Sequence, residues 1–507
     1  MTKQITLACG VTTAAIYQPD QEAKVAVQQI LTYHVKGYEN TFSFSQGTWD
    51  GTSTFFKWGT STFPAGFLSF VTANLKQLGY EVKIVRKPLP APLGAEHPVL
   101  DGYIEDERYN YQYETVNRLV KYGGMVAMCA TGSGKSVICE LAFARIKRPT
   151  LFITTRQILM YQMKERFEKD FKMPVGIIGD QEFGLNGDPT KLGMFNVAMV
   201  QSIAARLKGA DRKDSAPIAK KKNAEKEQML SILSKMEFIV LEEAHETSGS
   251  QYFEICNLCK KAQYRLALTA TPFMKEDEEA NMRLMAVSGP IGIHVTEKLL
   301  IDRGILAKPY FQIINLQQKP KYLRKATPWQ QAYRLGIVEN EERNNLIVQQ
   351  ALKAKHHGLS VMCLVLHKDH GRMLKTLMEN VGIRTEFIFG ESNRVTRQKN
   401  LNKLKAHEID VLIGSTILDV GVDVPAVGMV ILAGAGKTEV ALRQRIGRGL
   451  RAKKNSPNVC FIVDFDDPWS KHTATHALMR RNVILNTAGF AEGLVEELPW
   501  SIFPEKY

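Results

Sequence analysis

Three features are scarce or missing in this 507-residue sequence. No uninterrupted apolar run reaches the length of about 18 residues from which a membrane-spanning helix is predicted. The N-terminus lacks a basic stretch followed by an apolar one, so we expect the protein to stay in the cytoplasm where it is made. The seven cysteines are scattered and odd in number, which argues against a disulfide framework and fits a reducing compartment.

Positive charge is what the sequence has in excess. Lysine and arginine number 66 against 52 aspartates and glutamates, which gives a formal net charge of +14. Such a surplus favours a polyanionic partner, of which the phosphate backbone of a nucleic acid is the commonest. Ordinary solubilising charge would give the same total, so the motifs must decide between the two.

Prolines mark a boundary early in the chain. The run Lys87-Pro88-Leu89-Pro90-Ala91-Pro92 restricts the backbone and removes hydrogen-bond donors, so it is typical of a semi-rigid linker. We therefore predict five segments. They are a small α/β domain over residues 1–86, the linker over 87–104, α/β layers over 105–305 and 306–467, and a C-terminal extension over 468–507.

The first 86 residues show mixed periodicity. Residues 21–35 are predicted to form a helix, and Phe42 and Phe44 stand at the alternating spacing of a strand. Residues 81–85 are predicted to be the strand that closes the domain. The segment is therefore expected to be a small mixed α/β unit.

Short apolar strands alternate with helical patterns from about residue 105 onwards. Such strands are typical of a parallel, doubly wound sheet, because helices cover them on both faces. The pattern occurs twice, so we predict an α/β fold with two tandem parallel sheets. The strands are predicted at 125–128, 151–154, 197–200, 238–241 and 265–268 in the first sheet, and at 361–366, 384–388, 411–413, 430–432 and 459–463 in the second.

The strongest single motif follows the first of these strands. Residues 128–136 read Met-Cys-Ala-Thr-Gly-Ser-Gly-Lys-Ser, the pattern of a phosphate-binding loop in which Cys129 replaces the usual first glycine. The two glycines let backbone amides curl around phosphate oxygens at the positive end of a helix. Lys135 would reach the β- and γ-phosphates of ATP, and the Ser136 hydroxyl would bind Mg²⁺. The flanking strand and helix disfavour the alternative, a glycine turn with an exposed lysine.

A later strand ends in the acidic pair Glu242 and Glu243. Two carboxylates at the carboxyl end of a strand in the same sheet suit metal binding and activation of water. Glu242 would hold Mg²⁺, mostly through water, and Glu243 would orient or deprotonate the attacking water. The pair alone would be a weak signal, because adjacent glutamates are common on surfaces, but the P-loop upstream makes it a strong one.

With both motifs present, the chain resembles a superfamily 2 helicase of the DEAH-box type. Glu242 stands where that family has Asp, and its extra methylene predicts altered metal geometry and slower hydrolysis. The resemblance implies two RecA-like layers. It implies a catalytic set of Lys135, Glu242, Glu243, Arg448 and Arg451. It implies ATP contacts from Gln112, Thr131, Gly132, Ser133, Gly134, Lys135, Ser136, Gly421 and Asp423.

The remaining motifs of that family follow in order. Residues 108–112 resemble the adenine-reading Q motif, 154–162 motif Ia, 268–272 motif III, 414–425 motif V and 444–451 motif VI. The resemblance implies that Arg448 and Arg451, three residues apart on one helical face, act as arginine fingers on the γ-phosphate. It assigns coupling of hydrolysis to movement to His245, Thr269, Thr271 and Gln444. It assigns contacts with the DNA strand to Thr155, Arg156, Gln201 and Thr416.

A narrower resemblance rests on fewer residues. The sequences at 47–51, 63–68, 78–82 and 338–345 are similar to UvsW-type phage recombination helicases. That similarity implies a DNA-dependent ATPase that tracks 3′ to 5′ and remodels forks and Holliday junctions. We expect a monomer, located in the host-cell cytoplasm if a phage encodes it.

In that hypothesis the N-terminal domain grips duplex DNA near the junction. The basic residues expected to contribute are Lys57, Lys76, Lys83 and Arg86. Two alternatives stay open. One is an RNA helicase, and the other is a nucleic-acid-binding protein with a weakened ATPase, which only Glu242 suggests.

Overall fold

The computed structural model describes residues 3–101, 105–188, 190–244, 250–271, 277–389, 394–414, 426–436, 442–443, 446–447, 449–453 and 456–505. Their contacts divide the chain into two units. The first comprises Met1–Cys129 and Gly134–His294, and the second comprises Ala130–Ser133 and Val295–Tyr507. None of the helices within the described ranges combines the length and apolarity needed to cross a bilayer.

A small α/β domain begins the first unit. Its elements are β1 (Lys3–Cys9), β2 (Thr13–Tyr17), α1 (Gln21–Ile30), β3 (Thr32–His34), α2 (Phe42–Ser45), β4 (Thr52–Thr54), β5 (Thr62–Pro64), α3 (Leu68–Gln77) and β6 (Tyr80–Arg86). The main sheet has the order β5-β2-β1-β6, in which β1 and β6 are parallel, and β3 pairs separately with β4. Val27 of α1 and Val71 of α3 are fully buried and cover this sheet's apolar side chains.

Two local predictions for this domain were wrong. The helix predicted over 21–35 ends at Ile30, because the residues after it form β3 and pair with the distant β4. Phe42 and Phe44 lie in helix α2 rather than in a strand. The Thr41 hydroxyl caps that helix by accepting a hydrogen bond from the Phe44 amide at 3.3 Å.

An eight-stranded sheet forms the rest of the first unit. Its elements are α4 (Asn110–Tyr122), β7 (Gly124–Cys129), α5 (Lys135–Ile146), β8 (Thr150–Thr154), α6 (Gln157–Phe171), β9 (Gly176–Gly179), β10 (Glu182–Gly184), β11 (Phe195–Met199), α7 (Val200–Lys208), α8 (Ala216–Lys235), β12 (Phe238–Glu242), α9 (Ser250–Leu258), β13 (Tyr264–Thr269), α10 (Glu278–Ser288) and β14 (Ile291–Val295). The strand order is β10-β9-β11-β8-β12-β13-β7-β14. The six strands from β9 to β7 in this order are mutually parallel.

The N-terminal domain packs directly on helices α9 and α10. The ring of Phe55 lies 6.0 Å, centroid to centroid, from that of Phe253 on α9. The backbone at Gly66 approaches α10 so closely that a Cβ there would lie 2.2 Å from the Met285 carbonyl oxygen. The His34 amide donates a hydrogen bond of 2.9 Å to the Glu278 carboxylate. Apolar packing and close backbone approach therefore join this domain to the eight-stranded sheet.

The second unit contains a seven-stranded sheet. Its elements are α11 (Glu297–Asp302), β15 (Lys308–Asn315), α12 (Trp329–Tyr333), a π-helix (Arg334–Val338), α13 (Glu341–His356), β16 (Val361–Leu364), α14 (Lys368–Asn380), β17 (Thr385–Ile388), α15 (Arg394–Lys405), β18 (Val411–Gly414), β19 (Met429–Ile431), β20 (Val459–Asp466), α16 (Lys471–Asn486) and β21 (Leu494–Val495). The order is β17-β18-β16-β19-β20-β15-β21, and each neighbouring pair is parallel. The predicted α/β class with two parallel sheets and a small first domain is therefore confirmed.

The C-terminal extension completes this second sheet. Its strand β21 pairs with β15, and Phe503 beyond it is buried against the sheet. The Trp500 ring stacks on His357 at 4.9 Å and meets Phe461 edge-on at 5.1 Å. The extension is therefore part of the apolar core of the second unit.

Candidate functional site

The phosphate-binding loop joins β7 to α5. Gly132 and Gly134 have φ angles of +91° and +81°, which side chains rarely tolerate. Lys135 is the first residue of α5, whose N-terminal amides and positive dipole face the loop. Thr131 and Ser136 are half-buried beside these glycines, and Ser133 is buried. The turn that the sequence predicts is therefore formed, at the helix end best suited to bind an anion.

Gln112 lies against this loop. It sits on α4 with only 2% of its surface exposed. A Cβ added to Gly134 would lie 2.5 Å from its amide nitrogen. The side chain predicted to read adenine is therefore brought next to the loop predicted to hold the phosphates.

The two glutamates lie at the carboxyl end of β12. Glu242 is 8% exposed, and its Oε2 atom accepts no hydrogen bond from the described residues. Burial raises the pKa of this carboxyl, the positive charge of Lys135 lowers it, and the neighbouring Glu243 raises it. Glu243 is half-buried with a left-handed φ of +49°, a strained conformation for a residue with a side chain.

The donor set around Glu242 fits a hard divalent cation. A buried carboxylate oxygen with unused accepting capacity is costly unless a cation or donor is supplied to it. Oxygen ligands are those that Mg²⁺ prefers, and a carboxylate and a hydroxyl are available from Glu242 and Ser136. The charge of Lys135 acts on the same carboxylate. The residues that could hold Mg²⁺ are therefore Glu242 and Ser136.

Motif III lies between these two features in the sheet. Strand β13 is hydrogen-bonded to β12 on one side and to β7 on the other. In register, Thr269 faces Met128 of β7, while its neighbour Leu268 faces Glu242. The Thr269 hydroxyl accepts a hydrogen bond of 3.2 Å from the Thr271 amide. The Thr271 hydroxyl is buried and makes no hydrogen bond within the described part of the chain.

The residues predicted to touch the DNA strand lie further along the same edge. Thr155 and Arg156 follow β8, and Gln201 follows β11, the adjacent parallel strand. The Gln201 side-chain amide donates to the Thr155 carbonyl oxygen at 3.5 Å. Five neighbouring parallel strands therefore present the P-loop, motif III, the glutamate pair and these two segments at one edge, where ligands bind in α/β folds.

Arg451 is fixed in the second unit. It forms an isolated antiparallel bridge with Leu306, and the preceding Leu450 carbonyl accepts a hydrogen bond of 2.6 Å from the Ala307 amide. Six other predicted site residues lie outside the described residues. They are His245, Thr416, Gly421, Asp423, Gln444 and Arg448.

Two charged side chains that no sequence motif indicates stabilise the segments around these motifs. Glu297 is buried at the start of α11 and pairs with Arg443, next to motif VI, at 3.2 Å. In the first unit, the buried Arg265 guanidinium on β13 donates to four backbone carbonyls, those of Cys256, Cys259, Ala262 and Val287. The partners of each are far away in the chain or are backbone atoms, so no local pattern indicates them.

Two family models match this chain. The model of the type III restriction enzyme res subunit matches residues 106–274, and that of the helicase conserved C-terminal domain matches residues 342–453. The DNA 3′-5′ translocase XPB2 of Sulfurisphaera tokodaii is 24% identical over 80% of this chain and 92% of its own length. The ATP-dependent DNA helicase uvsW of Enterobacteria phage T4 is 21% identical over 87% of this chain and 86% of its own length.

A solved structure agrees with the fold. A fragment described as the HsdR subunit of a type I restriction enzyme from Vibrio vulnificus has a TM-score of 0.52 at 17% identity, covering 75% of this chain and 66% of the fragment. The P-loop and the two parallel sheets define a nucleoside triphosphatase with two RecA-like layers. With both family models matched in order, the chain belongs to helicase superfamily 2 and is an ATPase, as predicted.

Proposed function

We propose that this chain is an ATP-driven DNA helicase or translocase that moves 3′ to 5′. The observation that carries the proposal is the order β12-β13-β7, which lines up the glutamate pair, the motif III hydroxyls and the P-loop along one sheet edge. DNA as the substrate and the 3′ to 5′ polarity are supported by the relatives, a DNA 3′-5′ translocase and an ATP-dependent DNA helicase.

The chemical roles follow from the side chains. Lys135 binds the β- and γ-phosphates, and Ser136 and Glu242 hold Mg²⁺, which would neutralise charge on the phosphate oxygens. Glu243 orients the attacking water and accepts its proton. Charge that develops on the γ-phosphate is stabilised by Arg448 and Arg451. The other ATP contacts proposed are Gln112, Thr131, Gly132, Ser133, Gly134, Gly421 and Asp423.

Movement requires that hydrolysis be coupled to the DNA strand. Thr271 is suited to this role because its buried hydroxyl retains hydrogen-bonding capacity beside the strand that separates Glu242 from the P-loop. The coupling set proposed is His245, Thr269, Thr271 and Gln444. The DNA set proposed is Thr155, Arg156, Gln201 and Thr416.

Branched DNA is the substrate that the N-terminal domain favours. The domain over residues 1–86 packs on α9 and α10, which lie on either side of β13 and motif III in the chain. Duplex bound there would be held in a fixed position relative to the ATP site. The basic residues Lys57, Lys76, Lys83 and Arg86 are all exposed, and none makes an ion pair among the described residues.

The test is ATP-dependent unwinding on a panel of substrates. Duplexes with a 3′ tail, a 5′ tail, a fork, a four-way junction and an RNA duplex are compared at one salt concentration. We expect the fork and the junction to be preferred and the 3′ tail to be used over the 5′ tail. Preference for the RNA duplex, or unwinding that survives in Lys135→Ala, would contradict the proposal.

Charge reversal tests the N-terminal domain separately. Converting Lys57, Lys76, Lys83 and Arg86 to Glu should weaken fork binding and flatten its dependence on salt, because fewer counterions are released on binding. If the fork affinity and its salt dependence were unchanged, these four basic residues would not contribute to DNA binding. Retained unwinding of a simple 3′-tailed duplex is the control that the motor itself is intact.

A further inference from the structure

Five aromatic rings form a connected group in the second unit, which we call the aromatic platform. Its members are Trp329, Tyr333, His367, His472 and His476. The Trp329 ring lies 5.3 Å from Tyr333, 4.5 Å from His476 and 6.1 Å from His472, centroid to centroid. The Tyr333 ring lies 4.7 Å from His367. The rings come from three segments of the chain, and the segment with His472 and His476 follows the other two by more than a hundred residues, so only the fold brings them together.

The platform has a fixed inner end and an exposed outer end. Tyr333 is buried, and its hydroxyl donates a hydrogen bond of 2.9 Å to the Gly434 carbonyl oxygen. Trp329, one turn earlier on α12, keeps 37% of its surface exposed. The π-helix Arg334–Val338 follows directly, a distortion that is frequent at functional sites. A large ring held in place by a buried neighbour is suited to stack on a planar ligand.

Basic residues precede Trp329 in the chain, after a start at which the Gln317 and Gln318 amides donate to the Glu342 carboxylate. Residues 317–338 contain no acidic residue, and Lys319, Lys321, Arg324 and Lys325 within them are exposed. None of these four makes an ion pair with any described residue. The Lys325 carbonyl accepts a hydrogen bond of 3.0 Å from the amide of Lys471, another exposed lysine, so the basic segment is tied to the start of α16. This arrangement is complementary to a chain of phosphates.

The platform also lies at the carboxyl edge of the second sheet. His367 follows β16, and Gly434 follows β19, which pairs with it. On its other side β16 pairs with β18, and the proposed DNA residue Thr416 follows β18 in the chain. Ligands of parallel α/β sheets bind at this edge. The platform is therefore placed beside the expected path of the DNA strand.

We propose that the platform is a binding site for single-stranded DNA, in which one base stacks on Trp329 and the flanking phosphates contact the basic segment 319–325. Aromatic stacking of this kind tolerates any base sequence, which a translocating motor requires. The inference rests on the proposed action on DNA and adds a specific base contact to it.

The test measures binding of the full chain to a fluorescent oligothymidylate of about 15 nucleotides, a length within the range of single-strand sites. Trp329→Ala should raise the Kd about tenfold, the loss expected for one stacked base, and Trp329→Phe should retain most of the affinity. The slope of log Kd against log salt should stay unchanged in Trp329→Ala, because no phosphate contact is lost.

The double variant R324E/K325E should instead flatten that slope. Tyr122→Ala, which removes an exposed aromatic ring from the first unit, is the matched control and should bind as wild type.

An abasic scan tests the same contact without changing the fold. One nucleotide at a time is replaced by an abasic residue, and we expect wild-type affinity to fall sharply at a single position. Trp329→Ala should show no further loss at that position. Equal losses in both proteins, or wild-type affinity in Trp329→Ala, would overturn the inference while leaving the helicase proposal standing. If the wild-type chain neither bound nor unwound DNA, the proposed function would fail as well.

Discussion

Arg343 and Asp467 form an ion pair of 3.0 Å in which neither side chain has more than 2% of its surface exposed. The same aspartate accepts a second hydrogen bond from Arg480, at 3.3 Å, and Arg480 also pairs with the buried Asp464. Arg343 further donates to the Ala433 carbonyl oxygen at 2.6 Å. The charges of two arginines and two aspartates therefore balance one another, and Arg343 fixes the loop that follows β19.

Removing one member of this network should destabilise the second unit strongly. Arg343→Ala leaves Asp467 buried with only one of its two cationic partners, and breaking a buried pair in this way costs about 3–5 kcal/mol. Thermal or denaturant unfolding, followed with a probe in the second unit, checks the loss.

The control for this prediction is a half-exposed ion pair in the same unit. Arg384→Ala removes one partner of Asp410, which keeps Lys355 at 3.7 Å, and the arginine side chain is 56% exposed, so the expected loss is about 1 kcal/mol or less. Equal losses in Arg343→Ala and Arg384→Ala would show that burial does not set the strength of these pairs.

Glu140 should make the stability of the first unit depend on pH. It lies on α5, fully buried, and accepts a hydrogen bond of 2.5 Å from Arg166. Burial raises its pKa to about 7, against the opposing effect of Arg166 and with a further increase from Asp170. The pKa of Glu140 is higher in the folded chain than in the unfolded chain, where it is about 4.3. The contribution of Glu140 to the free energy of unfolding is therefore fully present below about pH 4.3 and is lost as the pH rises through about 7.

Glu140→Gln should remove this dependence. Relative to wild type, the variant should gain stability as the pH rises from 5.5 to 8.5, by roughly 2 kcal/mol. Melting temperatures of both proteins across this range provide the measurement. Asp188→Asn is the control, because hydrogen bonds from Thr190 and Lys191 lower the pKa of Asp188 to about 2, well outside the range. A difference between Glu140→Gln and wild type that stays constant with pH would contradict the prediction.

The fold and the chemical centre were largely predictable because their signals are local. A buried parallel strand such as Phe238–Glu242 is a continuous apolar run, and the P-loop is a contiguous motif whose glycines require left-handed backbone. The order of the strands was not predicted, because β7 and β8 follow one another in the chain but are separated in the sheet by β12 and β13. The residues predicted from these signals are brought to one edge.

What could not be predicted depends on partners distant in the chain. Arg343 is 124 residues from Asp467, and Glu297 is 146 residues from Arg443, so no spacing indicates either pair. In the N-terminal domain, two phenylalanines at alternating positions fitted a strand and a helix equally well. The capping hydroxyl of Thr41 favoured the helix.

Phe503 should stabilise the second unit although it lies near the end of the chain. It is 4% exposed, and its ring meets that of Phe461 edge-on at 5.3 Å. Its carbonyl oxygen accepts a hydrogen bond of 2.7 Å from His357. Phe503→Ala should cost about 3–5 kcal/mol, the usual loss for a buried phenylalanine. Leu485→Ala on α16, where the side chain is 45% exposed, should change stability by about 0.5 kcal/mol or less. Similar unfolding midpoints for the two variants would show that the extension is not part of the core.

Substitutions of the two adjacent glutamates should have separate effects, one on metal binding and the other on proton transfer. Glu243→Gln keeps the size and left-handed position of the side chain but cannot accept a proton, so ATPase kcat should fall by about 10²–10⁴-fold while ATP still binds. Glu242→Asp should instead retain hydrolysis, because a carboxylate remains, and should shift the concentration of Mg²⁺ that gives half-maximal activity. The measurements are steady-state ATPase with and without DNA, and binding of a fluorescent ATP analogue across a Mg²⁺ titration. If Glu243→Gln hydrolysed ATP at the wild-type rate while Glu242→Asp did not, the roles assigned to the two residues would have to be exchanged.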